Sequence, residues 1–84
     1  MHEEFLFVRR GDVIRIQLSN RKEILMIFYG VDYGRLIGWR WTDEGCEVTR
    51  KPPNLSVAIS RSVVIEKVGS CGEIQAGEPG EGDR

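Results

Sequence analysis

Apolar and polar residues alternate with a period of two along most of this chain, the pattern of strands with one buried face. In Asp12–Leu18, Ile14, Ile16 and Leu18 alternate with Arg15 and Gln17, and the polar turn Ser19-Asn20-Arg21-Lys22 follows. Residues 23–29 set Ile24, Met26 and Phe28 on one face and Leu25, Ile27 and Tyr29 on the other. A strand apolar on both faces is either sandwiched within its domain or covered by a neighbouring subunit. Gly30-Val31-Asp32-Tyr33-Gly34 reads as a second turn, with glycines where positive φ is needed. Residues 35–41 then place Ile37, Trp39 and Trp41 opposite Leu36, Gly38 and Arg40.

The stretch 42–54 (TDEGCEVTRKPPN) is a long polar loop or an extended hairpin end, closed by Pro52-Pro53. Alternation resumes over residues 55–59 through Leu55, Val57 and Ile59. Ser60-Arg61-Ser62 makes a short turn, and residues 63–68 form the last strand. Residues 2–8, with Phe5-Leu6-Phe7-Val8, fit a short helix as well as a strand. The expected fold is all-β. Five short, bent antiparallel strands most often close into a small SH3-like or OB-like barrel, which removes exposed edges.

Length and charge sharpen this picture. A chain of 84 residues is one small domain, too small for a catalytic cleft walled by two layers. Residues 69–84 hold five of the ten Gly and only Ile74 as a large apolar side chain. Such a stretch cannot offset its ordering entropy, so it reads as a disordered tail behind a folding unit of residues 1–68. The net charge of −1 divides unevenly at that cut. Residues 1–68 carry eleven Lys/Arg against nine Asp/Glu, a net of +2, and the tail carries one Arg against four acids. A weakly basic body is compatible with an anionic partner.

Other classes recede. No charged segment precedes an apolar run and a small-residue cleavage site, and the longest apolar run, residues 24–29, is far too short to span a bilayer. Of the two cysteines, Cys71 falls in the tail, so reduced thiols in a cytoplasmic protein are expected rather than a disulfide. Their spacing makes no metal site. The single His2 lies at the N-terminus, leaving little for acid–base chemistry. Cys46 sits among Asp43, Glu44 and Glu47, whose charges would raise a thiol pKa, the wrong direction for a nucleophile. No phosphate-binding loop is present. Neither an enzyme, a cofactor nor a small-molecule substrate is expected.

At this point the sequence resembles the Sm/Lsm-like family, small barrels that assemble into rings and bind RNA. Gly11, Ile14, Ile16 and Leu18 match the family's opening motif in register, and Gly30-Val31-Asp32 stands at the family's Gly-Phe-Asp after an ungapped spacing. Arg61-Ser62-Val63-Val64-Ile65-Glu66-Lys67-Val68 matches its second motif, with Ser62 replacing a Gly. The match covers residues 11–39 and 61–68. Three departures stand out: Asn20-Arg21 replaces an Asp-Gly turn, Met26 replaces a bend Gly, and Gly34-Arg35-Leu36 replaces the base-contacting segment. Leu36 has no amide for a base edge, so the family's uridine pocket is not reproduced.

Binding of single-stranded RNA needs stacking platforms and cations that meet phosphates. Tyr33, Arg35 and Arg61 supply them, and the resemblance adds Asp32 and implies that the turns after strand two and before strand five converge at a ring pore. The shared face of Ile37, Trp39 and Trp41 points to core or inter-subunit packing rather than base stacking. The doubly apolar strand 23–29 supports an interface between copies, with strand four of one pairing with strand five of the next. Two function classes therefore stand: a non-catalytic, ring-forming RNA binder, and an SH3-like module for protein interaction without nucleic acid. The acidic tail either keeps the particle soluble or competes with RNA for the basic surface.

Overall fold

In a computed structural model, residues 8–72 are described. Five strands form one antiparallel sheet: β1 (Asp12–Leu18), β2 (Glu23–Asp32), β3 (Arg35–Arg40), β4 (Leu55–Ala58) and β5 (Ser62–Ser70). Two short 3₁₀ segments interrupt them, η1 (Gly45–Arg50) and η2 (Ile59–Arg61). The order across the sheet is β4-β3-β2-β1-β5. The expected helix or strand at residues 2–8 lies, apart from Val8, outside the described residues, as does the tail from residue 73. No helix among the described residues is long and apolar enough to cross a membrane.

The alternation works as a two-sided code. Ile14, Ile16, Met26, Phe28, Leu36 and Val57 form one buried cluster, with Leu18, Ile24, Leu55, Ile59 and Ile65 packed around it. Val13, Ile27, Trp39 and Val48 form a second cluster on the opposite face. The sheet thus has an Ile14 face and a Trp39 face. The doubly apolar β2 is thus sandwiched inside one chain, since Met26 and Ile27 are both fully buried. Of the two covers expected for it, one within the domain and one from a neighbouring subunit, Met26 and Ile27 have the first. The missing cover is the 42–54 loop: η1 lies on the Trp39 face, where Val48 joins the core and the Trp39 indole N–H donates to the Lys51 carbonyl at 2.7 Å.

The sheet does not close as a barrel. β4 has four residues and pairs only with β3. After η2 the Ser19 N–H donates to the Arg61 carbonyl at 3.0 Å, which sends β5 along β1 and leaves β4 and β5 as the two edges.

Two strands run past the ends that the sequence pattern gives them. Tyr29 stands unpaired between Phe28 and Gly30, a bulge that lets β2 run on to Asp32. Its ring meets Trp39 edge-on at 5.4 Å, and the Arg10 guanidinium lies over it at 4.2 Å. At Gly38 a side chain has no room, because a Cβ would collide with the Ile27 carbonyl oxygen and lie 2.8 Å from Met26 Cγ. β5 continues past Val68 through Gly69 and Ser70, which pair with Val13 and Asp12. Backbone pairing needs no apolar side chain, so the alternating pattern does not announce it.

The cysteines overturn the reduced-thiol expectation. Cys46 and Cys71 are joined in a disulfide, with Cα atoms 5.8 Å apart. The strand order brings the end of β5 beside β1, where the Cys71 N–H donates to the Gly11 carbonyl at 2.7 Å, and η1 crosses to meet it. With the thiols paired, the argument for a reducing compartment is gone.

Candidate nucleic-acid interface

The β2–β3 connection is a two-residue hairpin loop, since Asp32 pairs with Arg35. Tyr33 and Gly34 both have positive φ, 53° and 72°, as a type I′ turn requires. Gly34 adopts this geometry without penalty, but for Tyr33 the left-handed region costs roughly 1–2 kcal/mol. Tyr33 is 93% exposed, so no packing contact accounts for its presence there. Arg21, in the turn between β1 and β2, likewise adopts a positive φ of 75°.

Arg35 begins β3 and reaches sideways to the edge strand. Its Nε donates to Ser56 Oγ and its Nη2 to the Ser56 carbonyl at 3.3 Å. This fixes the guanidinium against β4. Arg40 ends the same strand, six residues long, and Arg61 closes η2 before β5. All three arginines line one open cleft of about 520 Å³, together with the whole of β4. Leu18, Ile24, Leu55 and Val57 give the cleft an apolar lining, and among the described residues no carboxylate lines it. An exposed guanidinium is a planar fork suited to phosphate or carboxylate oxygens.

Of the four residues singled out, the fold therefore brings Arg35 and Arg61 together. Asp32 and Tyr33 stay on the neighbouring hairpin tip, exposed and outside the cleft lining. The third cation, Arg40, was not among the candidates. The signal for it was its place on the Leu36–Gly38–Arg40 side of β3, where a charge at the end of an otherwise apolar row must lie at the mouth of that face. The tryptophans divide: Trp39 is fully buried, whereas Trp41 is 38% exposed and outside the cleft lining.

The remaining charges on the sheet are paired. Arg15 bridges Glu66 and Glu23, and the hydrogen bond and charge of Glu66 push its pKa further up. Lys67 reaches the buried Asp12 carboxylate at 3.5 Å. Among the described residues no group of three His, Cys, Asp or Glu gathers that could hold a metal ion. Comparison with known families, characterised proteins and solved structures finds no match.

Proposed function

We propose that this chain is an Sm-like, SH3-type subunit that assembles with copies of itself into a ring and binds single-stranded RNA without catalysis, as a chaperone or assembly factor. The observation that carries the proposal is the cleft, where Arg35 and Arg61 meet Arg40 with no carboxylate among the described lining residues. Tyr33 beside it is an exposed aromatic ring held at a backbone cost, as a base-stacking platform would be. The strand order, with β5 returning to β1 after a 3₁₀ turn, supports the Sm-like reading for a sheet that is open in one copy. Two edges that are unpaired among the described residues support assembly: β4 is short, and β5 exposes Val63 and Val68. An unpaired edge bearing apolar side chains is a template for another strand. Pairing β4 of one copy with β5 of the next would supply the closure that one sheet lacks.

Two measurements test this. Mass in solution at micromolar concentration should exceed that of one chain, and a clean monomer would overturn the ring. Titration with oligo-U and oligo-A should show binding that weakens in Arg35→Ala and Arg61→Ala. Each substitution should lower the slope of log affinity against log salt by about 0.7, the value for one single-strand phosphate contact.

A second reading rests on the apolar part of the cleft. Leu18, Ile24, Leu55 and Val57 beside a free edge strand suit an extended acidic peptide added to β4, the SH3-like protein-interaction alternative. Absence of RNA binding at low salt would favour it.

A further inference from the structure

We propose that the Cys46–Cys71 disulfide is a reversible thiol-exchange site, and that opening it lifts η1 off the Trp39 face while the sheet stays folded. This goes beyond the RNA reading and does not depend on the arginine cleft.

The two sulfurs have unequal surroundings. Cys71 is half-buried and tied down: its N–H donates to Gly11, it follows a strand paired with β1, and it packs on the Trp39 cluster. Cys46 is exposed, in a 3₁₀ segment with no side-chain hydrogen bond at its N-cap. An incoming thiolate therefore reaches Cys46 first.

Most contacts that shape η1 are internal to the 42–51 stretch. Arg50 pairs with Glu47, Lys51 pairs with Glu44, and the Thr49 hydroxyl donates to the Cys46 carbonyl. They preserve the local shape but do not fasten it to the sheet. Fastening comes from Val48, from the Trp39–Lys51 hydrogen bond and from the disulfide. The Ile14 cluster contains no residue of this segment. Cutting the disulfide thus removes a direct tie on the Trp39 face and no side-chain contact of the Ile14 cluster.

The chemistry balances with an external dithiol as reductant. Its first thiolate bonds to Cys46 Sγ, the protein S–S bond breaks, and the electron pair leaves on Cys71 Sγ, which takes up a proton. The second thiolate attacks the mixed disulfide and releases Cys46, which is also protonated. The dithiol ends as a cyclic disulfide, and the protein gains two electrons and two protons.

The test uses the full chain labelled for NMR, with and without dithiothreitol, and a thiol assay to count the cysteines released. On reduction the Trp39 indole proton should move to the shift of an unbonded indole, and the η1 amides should lose their dispersion. The amide shifts of Ile14, Ile16, Met26 and Leu36 should hold. The Cys46→Ser, Cys71→Ser double variant should reproduce the reduced spectrum and ignore dithiothreitol. Any of three results overturns the proposal: a folded protein that resists dithiothreitol, a Trp39 indole that does not move once both thiols are free, or collapse of the whole spectrum in either form. The last would make the disulfide a global structural staple.

Discussion

The two faces of this sheet are buried by different means. On the Ile14 face, side chains from all five strands and η2 meet one another, with Val8 packed against them. On the Trp39 face the strands contribute a short row, Val13, Ile27 and Trp39, and the cover is a borrowed segment held by one apolar side chain, one indole hydrogen bond and one disulfide. The first arrangement is distributed over many small contacts, whereas the second depends on a few strong ones. Losses on the first face should therefore be cooperative, and losses on the second local.

Substitutions on the two faces put that contrast to the test. Ile16→Ala removes a fully buried side chain from the Ile14 face and should cost about 3–4 kcal/mol in urea unfolding, a large part of a small domain's stability. A value below about 1 kcal/mol would mean that this face collapses around the cavity as easily as a surface patch. Cys46→Ser opens a loop of sequence separation 25 and should cost about 3 kcal/mol by chain entropy. An unchanged midpoint would show that Val48 and Trp39 alone hold η1. Trp39→Phe keeps most of the apolar contact but removes the donor to Lys51, and about 1 kcal/mol should be lost. The smallest effect has the opposite sign. Tyr33→Asn gives the hairpin an Asn-Gly turn and should stabilise it by up to about 1 kcal/mol. If Tyr33 stacks on RNA, the same variant should bind oligonucleotides more weakly, whereas equal binding would remove Tyr33 from the site.

The contrast also explains which parts of the molecule were legible in the sequence. β1 is legible because Ile14, Ile16 and Leu18 alternate with Arg15 and Gln17. β2 is legible in its first seven residues and lost at Tyr29, where the bulge interrupts the alternation and the following glycine resembles a turn. β5 is lost at Gly69, where the backbone pairs without an apolar side chain. The cover of the Trp39 face was not legible at all. Cys46 lies in a polar loop and Cys71 among tail-like residues, and only the strand order that sets β5 against β1 brings them together. The cleft was half legible for the same reason. Arg35 and Arg61 occupy turns and attract notice, but Arg40 enters because β4 folds beside β3.

The disulfide also changes what a backbone cut can do. Its two ends enclose β4, η2 and all of β5 in one covalent ring. Arg50 is exposed inside that ring, at the end of η1. A protease that cleaves after Arg50 opens a link without releasing a fragment. The edge strand β4, four residues long and paired on one side, then remains tethered at high local concentration to the sheet it left. The nicked molecule would migrate as a single species until a reductant splits it in two.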